Sequence, residues 1–451
     1  MPDTPSNYTA SAVLWLESIL HERFGLPLCL SLITNQWQLR MTGTEGIVLM
    51  DAMPDTFTRA DSGLPFCLWD GQAEGWPPVL GKPLPAPGVA ATIQPLVEEV
   101  MSGYHIHYDL LGLAYWMLTR QEEVGRTDLD QHGRFPATAS HAFKYDYLER
   151  PVVDEWLHLL GQIIQRAWPG CKLKQHRFSI KVSHDVDAPS RHGFRSWRRL
   201  VLGAGSDLLR NRDPRGLLAP WIRMTTRRRL HPLDSFNTFD WIMDQSEGNG
   251  LTSAFYFICG QQGTPFNADY DVGHPAIREL IRRIHRRGHE IGLHPSYGSF
   301  LDPDRIAEEA ARLRQVCGEE GVTQKEFGGR MHYLQWRQTT TLRAWDSAGM
   351  AYDSTLGYAD HVGFRCGTCY EFPAFELTEQ KALTLRVRPL IVMEGTVLGK
   401  RYMGLGLTRG GLERILKIRK TCEIISGTFV LLWHNSVLRN IHQQSMYKDL
   451  F

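Results

Sequence analysis

The chain has 451 residues and a formal net charge of +1, because 50 Lys and Arg face 49 Asp and Glu. At roughly 100–200 residues per domain, this length predicts two or three domains. The 43% hydrophobic and 22% charged fractions exclude a largely disordered chain. The balanced charge excludes a protein that is basic enough overall to bind nucleic acid. No uninterrupted run of about 20 apolar residues predicts a transmembrane helix.

The first 26 residues predict an amphipathic helix rather than a secretory signal. They lack a basic amino-terminal region, and Glu17 and His21 interrupt the apolar stretch at helical spacing. The eight cysteines are scattered along the chain, which favours free thiols over a disulfide scaffold. We therefore expect a cytoplasmic protein.

Residues 1–175 are predicted to form a separate α+β domain. Short apolar runs at 28–33 and 46–50 predict strands, whereas residues 51–89 are rich in Pro and Gly and predict turns. Residues 108–123 and 151–168 predict helices. Nothing in this region indicates a chemical function.

From residue 176 onward, apolar strands alternate with amphipathic helices. The predicted strands are 177–183, 253–257, 289–294, 327–334, 350–356, 383–393 and 427–434. Such alternation indicates parallel strands joined by right-handed crossovers. We therefore expect residues 176–451 to form an α/β domain built as a distorted (β/α) barrel.

One insertion, at about 190–235, interrupts this alternation. Residues 191–229 contain eleven arginines and only two acids, which gives them a charge of about +9. One interpretation is a helical excursion that is merely solvated. The other is a surface for an anionic partner, such as a sugar nucleotide, a lipid-linked diphosphate or the face of a membrane.

Polar side chains follow five of the predicted strands, at the end where functional groups collect in a parallel barrel. They are Asp185 and Asp187, His294, Arg330, Asp353, and His434. One such residue alone is usually a cap or a turn, but five together predict a shared polar site. Since Asp185 and Asp187 are two positions apart on an extended segment, their carboxylates point to the same side. One can bind a metal while the other takes a proton from water.

The order and spacing of five short motifs resemble the polysaccharide deacetylase family, the NodB-homology carbohydrate esterases. The motifs are SHDVD (183–187), GHEIGLH (288–294), GGRMHY (328–333), YDSTLG (352–357) and LLWHNS (431–436). The resemblance covers about residues 176–451. The earlier region resembles an uncharacterised domain that precedes such deacetylases, at HGRFPATAS (132–140) and ERPVVDEW (149–156).

The resemblance implies a metal-dependent enzyme, with zinc as the expected ion, that removes an N-acetyl group from a sugar in polysaccharide biosynthesis. By matching motif positions, it implies that Asp185 is the base and His434 the general acid, and that Asp187 and His294 bind the metal. It also implies that Arg330 belongs to the substrate groove and is oriented by Asp353. Tyr333 would form the wall of the groove, and Leu432 would line the acetyl pocket. Because a secretory signal is not expected, we expect a sugar nucleotide or a lipid-linked intermediate as substrate rather than a mature extracellular glycan.

The chain departs from the family where a second histidine is expected four residues after His294, because that position is Gly298. Ser299 or water could complete the metal shell. We favour His332 slightly, because it alternates onto the same side of its strand as Arg330. A degenerate site in a non-catalytic carbohydrate-binding protein is a further alternative, as is hydrolysis of another C–N bond, as in the allantoinase-like branch of the fold. Arg365 is a candidate clamp for an anion or substrate.

Overall fold

The computed structural model of the protein describes residues 8–202, 214–260 and 266–451. The strands are β1 Leu28–Ile33, β2 Gln36–Met41, β3 Ile47–Asp51, β4 Phe66–Trp69, β5 Leu84–Pro87, β6 Val97–Val100, β7 Gly103–Ile106, β8 Ser179–Val186, β9 Ser253–Phe257, β10 Glu290–Leu293, β11 Tyr352–Asp353, β12 Phe372–Glu376, β13 Lys381–Val387, β14 Val392–Met393 and β15 Thr428–Leu432. The helices used below are α1 Ala10–Phe24, α2 Pro54–Phe57, α3 Leu110–Leu118, α4 His141–Lys144, α5 Val152–Ala167, α6 Ala219–Thr225, α7 Phe239–Gly248, α8 Pro275–Arg286, α9 Pro303–Glu319, α10 Thr341–Ser347, α11 Glu394–Leu398, α12 Arg409–Ile424 and α13 Ile441–Lys448. Residues 203–213 of the arginine-rich insertion lie outside the described residues.

The first sheet has five strands in the order β1-β2-β3-β7-β6. The predicted amino-terminal helix is confirmed as α1, which Thr9 caps and Gly25 ends in the left-handed conformation. Residues 51–89 are mostly turns and loops, as predicted, but the sequence did not reveal that β4 pairs there with β5 in an antiparallel ladder or that α2 precedes them. Apolar residues of β4 and β5 pair across a loop of 14 residues, which a scan for local periodicity does not detect.

The second sheet has five parallel strands in the order β10-β9-β8-β15-β14. Parallel bridges from Leu293 to Gly329 and from Gly329 to Asp353 extend it to the three-stranded sheet β11-β13-β12. The predicted strand 327–334 is therefore reduced to one bridging residue. A side chain at Gly329 would meet the carbonyl oxygen of Leu293 at 1.9 Å, so only glycine permits this approach. Among the described ladders none joins β14 to β12, and closure into a barrel stays a prediction.

Helices packed on this sheet follow the predicted pattern. Helix α8 buries Ile277, Leu280, Ile281 and Ile284 on one face, with Pro275 at its first turn. Helix α9 begins after the Asp302 cap, as predicted. One continuous cluster of buried apolar side chains includes residues of both sheets. Among the described residues, no helix combines the length and the apolarity needed to span a bilayer.

Candidate active site

The carboxyl ends of three parallel strands carry the central polar residues. Strand β8 contains Asp185 and leads directly into Asp187, β10 leads into His294, and β15 ends two residues before His434. Because β10, β9, β8 and β15 are consecutive in the sheet, these ends share one edge. The sheet therefore brings together residues that are about 250 positions apart in the sequence.

Asp187, His294 and His332 form a group of potential metal ligands, with one donor atom from each lying within 4.8 Å of the others. The Oδ1 atom of Asp187 is 3.2 Å from Nε2 of His294 and 3.4 Å from Nδ1 of His332. This Oδ1 atom is buried and has no hydrogen-bond partner. An unpaired carboxylate oxygen facing two imidazole nitrogens is a donor set typical of zinc, so these residues fit a metal ion.

Backbone carbonyls orient both imidazoles of this group. Nδ1 of His294 donates to the carbonyl oxygen of Arg330 at 2.6 Å, and Nε2 of His332 donates to that of Phe266 at 2.7 Å. In its neutral form, each ring therefore carries its hydrogen on the nitrogen away from Asp187 and turns its other nitrogen toward the carboxylate. Metal-binding histidines are commonly fixed in this way. Burial lowers the pKa of His332 to about 4, which keeps the ring neutral, as a ligand must be.

The charges of His294 and Asp187 depend on each other. Burial disfavours the charged ring of His294, but the carboxylates of Asp185 and Asp187 outweigh burial and raise its pKa. Burial also disfavours the charged form of Asp187, yet the neighbouring imidazoles hold the pKa of this carboxyl well below its usual range. A bound cation would thus compete with a proton for the same nitrogen of His294.

The structure defines the surroundings of Gly298, which stands where the family has its second histidine. Gly298 has a left-handed backbone (φ 83°), and Ser299 donates its hydroxyl to the carbonyl oxygen of Ser296 at 2.6 Å. Ser299 is buried and does not line the cavity. The structure therefore brings His332, rather than Ser299, to Asp187 and His294.

Asp185 has a different environment from Asp187. Its Oδ1 atom accepts a hydrogen bond from Nη1 of Arg330 at 2.8 Å, and its Oδ2 atom lies 3.7 Å from Nε2 of His294. The Arg330 side chain is fully buried and also donates to the hydroxyl of Ser183 and the carbonyl oxygen of Ser354, both at 2.9 Å. Asp185 is therefore a fixed carboxylate beside the ligand group.

The structure places Asp353 differently from the role predicted for it. Its Oδ1 atom accepts from the backbone nitrogen of Thr355 at 2.9 Å and from the Thr355 hydroxyl, and no hydrogen bond joins it to Arg330. Burial raises the pKa of Asp353 to about 6. The groups that orient the guanidinium of Arg330 are instead Ser183, Ser354 and Asp185.

His434 lies across the site from His332. Its Nε2 atom is 3.6 Å from Oδ2 of Asp187, and its Nδ1 atom donates to Oε1 of Glu394 at 2.5 Å. Burial favours the neutral ring, but the negative charge of Glu394 and its hydrogen bond outweigh burial and raise the pKa of His434 to about 10. Sequence reasoning missed Glu394. Glu394 directly follows the apolar strand β14. A polar residue at the end of a strand is the same pattern that identified the other site residues, so it could have been found in this way.

A cavity of about 370 Å³ opens over this site. Its lining includes Tyr333, as predicted from the sequence, together with Phe266, Leu334, Met393 and Tyr402, and the polar groups Asp185, Asp187, His294, His332 and His434. The predicted Leu432 does not line it, and its side chain is fully buried at the end of β15. Arg365 also lies elsewhere. It is buried and donates to both carboxylate oxygens of Glu123, at 2.9 and 2.6 Å, so its charge is already neutralised.

The amino-terminal region contributes to the cavity, which the sequence did not predict. Arg134 lines it and donates to the carbonyl oxygen of Tyr333 at 2.9 Å and to the hydroxyl of Tyr402 at 3.2 Å. The ring of His132 packs 4.7 Å from that of Tyr333. Tyr333 has a left-handed backbone (φ 61°), which is rare for a residue with a side chain. The loop 130–134 thus holds the backbone that directly follows His332.

Comparisons with known proteins are consistent with two of the sequence predictions. Residues 67–169 match the model of a family of unknown function, DUF7033, as expected for an uncharacterised domain in this region. No curated protein matches the chain significantly. Two of the three solved structures below carry the name of the family that the motifs indicated, polysaccharide deacetylase.

The chain is similar to a protein from Mycobacterium smegmatis provisionally described as a polysaccharide deacetylase (TM-score 0.39, 16% identity, covering 61% of this chain and 83% of that one). It is similar to PuuE allantoinase (TM-score 0.36, 12% identity, covering 63% of this chain and 84% of that one). It is also similar to a protein from Pseudomonas aeruginosa PAO1, again provisionally described as a polysaccharide deacetylase (TM-score 0.34, 16% identity, covering 63% of this chain and 85% of that one). Because these TM-scores lie below 0.5, the likenesses carry no argument about the reaction.

Proposed function

We propose that the protein is a metal-dependent hydrolase that removes an N-acetyl group from a sugar in polysaccharide biosynthesis. One observation carries the proposal. A three-donor group, Asp187, His294 and His332, is flanked by a carboxylate fixed by an arginine and by an imidazole paired with a carboxylate. Amide hydrolysis needs these components together: an electrophilic centre, a base for water and an acid for the departing nitrogen.

Asp187, His294 and His332 would hold the ion, with zinc as the expected metal. Bound zinc polarises an amide carbonyl and makes water acidic enough to act as a nucleophile near neutral pH. Asp185 accepts the proton of the attacking water. Arg330 keeps this carboxylate in place through Oδ1 and leaves Oδ2 on the side of His294.

His434 supplies the second proton transfer. Its pKa of about 10 keeps the ring charged at neutral pH, so Nε2 can donate a proton to the amine as the C–N bond breaks. Water adds to the acyl carbon, and the products are acetate and a free amino sugar. The opposed pKa shifts of His434 and His332, to about 10 and about 4, separate a proton donor from a neutral ligand.

The cavity wall suits a carbohydrate. Phe266 and Tyr333 line the cavity with ring centroids 5.8 Å apart, both pack against the ring of Tyr297, and sugar rings stack on such aromatic surfaces. We expect the substrate to carry phosphate, as a sugar nucleotide or a lipid-linked intermediate does, because the arginine-rich insertion begins four residues after Asp187.

The test is the release of acetate from a panel of N-acetylated sugars, free, nucleotide-linked and lipid-linked, by the full chain after it is stripped of metal and reloaded with zinc. We expect zinc-dependent release that is lost in Asp185→Asn and retained in Asp244→Asn, a matched change of an exposed carboxylate. Ureides in the same panel test the alternative C–N bond. Hydrolysis of ureides alone, or zinc-loaded protein that hydrolyses nothing, would reject the proposal.

A further inference from the structure

The amino-terminal sheet carries a second group of donors on its outward face. Strands β3 and β7 are parallel, with Leu49 opposite His105 and Met50 opposite Ile106. Met50 and Ile106 are fully buried. Because side chains alternate along a strand, Asp51, His105 and His107 fall on the opposite face. The sheet order thus places two histidines and a carboxylate side by side, away from the core.

One donor atom each from Asp51, His105 and His107 lies within 4.8 Å of the others. Nε2 of His105 donates a hydrogen bond to Oδ1 of Asp51 at 2.8 Å, which a bound ion would replace, and Nδ1 of His107 is 3.9 Å from Oδ2 of the same carboxylate. The two imidazole rings lie 4.1 Å apart between centroids. The carboxylate therefore faces both rings, with one oxygen toward each.

A neighbouring carboxylate fixes the hydrogen of His107. Oε2 of Glu98 accepts a hydrogen bond from Nε2 of His107 at 3.1 Å. A neutral ring with its hydrogen on Nε2 directs the lone pair of Nδ1 toward Asp51. A cation bound between this lone pair and the carboxylate oxygen would be stabilised by both. A carboxylate on the far nitrogen of an imidazole is also the usual companion of a metal-bound histidine.

We propose that Asp51, His105 and His107 bind a second divalent metal ion of the zinc class, with Glu98 orienting His107. Two imidazoles and one carboxylate favour zinc, nickel or cobalt over magnesium and calcium, which prefer oxygen donors. The side chains of both histidines are 18% exposed and that of Asp51 is 38% exposed, so an ion can enter from solvent and keep a water ligand. The ion ties β3 to β7.

This site is independent of the proposed active site. It uses the first sheet, whereas Asp187, His294 and His332 are positioned by the second. His105 and His107 fall within the segment matched to the family of unknown function, and Asp51 lies outside it. Failure of either site therefore leaves the other unaffected, and separate variants distinguish them.

The experiment is equilibrium dialysis of the metal-free full chain against zinc, with bound metal measured by elemental analysis. We expect two zinc ions per wild-type chain, one in His107→Gln, one in His332→Ala and none in the double variant. Magnesium in excess should displace neither ion. His442→Gln, which removes an exposed imidazole elsewhere, should retain two.

The variant Glu98→Gln distinguishes a direct effect on the second metal site from a general loss of folding. We expect it to retain two ions but to weaken the second by about 10–100-fold, as the loss of an orienting partner does. Circular dichroism establishes that each variant is folded. A wild-type chain with a single ion that His332→Ala removes would overturn this proposal alone. Equal zinc content and affinity in wild type and His107→Gln would do the same, and a wild type without zinc would reject both sites.

Discussion

Asp185 and Asp187 are separated by one residue, yet their carboxylates have different neighbours. Asp187 faces two imidazole nitrogens with an unpaired oxygen, whereas Asp185 is held by the guanidinium of Arg330. Their positions after a strand predicted a shared side, and the division of roles followed only from the resemblance. The structure now gives that division a physical basis in the partner that each carboxylate has.

We expect Asp185→Asn to lower hydrolysis by about 10²–10⁴-fold, because an amide cannot accept the proton of water. Zinc content should stay at the wild-type level, since the carboxylate is not among the three ligands. Rate measurements on samples of known metal content check this. Loss of zinc in this variant would show that Asp185, not Asp187, is the ligand.

His332 should behave as a metal ligand. We expect His332→Ala to lower the affinity of the active site for zinc by at least 10–100-fold, the loss typical of even an outer partner. Ser299→Ala is the matched control, because its hydroxyl donates to Ser296 and should leave zinc binding unchanged. Zinc titration of both variants shows whether His332 or Ser299 contributes to the affinity for zinc. A higher KM with unaltered zinc affinity in His332→Ala would instead make His332 a substrate contact.

At the scale of elements, the strands that sequence patterns predicted are those with dense apolar runs. Strands β8, β9 and β15 and helices α8 and α9 satisfy this condition. The strands β4, β5 and β12 do not, because their residues gain burial only through pairing with other strands. The side-chain partners of Arg330 and Arg365 were unpredictable for a similar reason. Which carboxylate reaches a guanidinium depends on packing, not on spacing.

The arginine-rich insertion presents both apolar and basic groups in its described part. Trp197 is 53% exposed, and its ring lies 5.6 Å from the guanidinium of Arg223. Val201 and Leu202 are also exposed. Arg198 and residues 227–229 are exposed and make no ion pair within the described part of the chain. Exposed apolar side chains beside unpaired arginines are typical of a surface that contacts an anionic bilayer or a lipid-linked phosphate.

We expect the chain to bind vesicles that contain phosphatidylglycerol and to bind phosphatidylcholine vesicles weakly. Binding should fall steeply between about 0.1 M and 1 M salt, as the screening length shortens from ~10 Å to ~3 Å. Trp197→Ala should weaken it, whereas Ile441→Ala, an exposed apolar change elsewhere, should not. Co-sedimentation measures each case. Binding that is independent of salt would contradict this prediction and support the other interpretation, in which the insertion is a helical excursion that is merely solvated.

At the scale of the whole molecule, buried polar contacts join the two predicted domains. Arg365 pairs with Glu123 across this boundary, and Thr368 donates to Asp154 at 2.7 Å. Within the first region, His141 is fully buried, accepts from the Tyr147 hydroxyl at 2.6 Å and donates to the carbonyl oxygen of Leu64 at 3.0 Å. A second proton on this ring would require the Tyr147 hydroxyl to turn from donor to acceptor.

Burial lowers the pKa of His141 from its ordinary value of 6.5 to about 4. The unfolded chain therefore binds one more proton than the folded chain between these values. Stability from this group is fully present above pH 6.5 and is lost as pH falls through 4, at most about 3 kcal/mol. Urea denaturation across this range should show a shallower pH slope in His141→Gln and an unchanged slope in His442→Gln. Equal slopes in all three proteins would contradict this.

The contact of Arg134 and His132 with Tyr333 means that residues outside the five motifs can influence which sugar the protein accepts. The five motifs lie in residues 183–436, but part of the wall that a bound sugar would meet belongs to the loop 130–134. Chains identical in every motif can therefore differ in the sugars that they accept through changes in this loop alone. Conversely, a chain shortened to residues 176–451 would lose this side of the cavity and, with it, the contact that holds the backbone directly after His332.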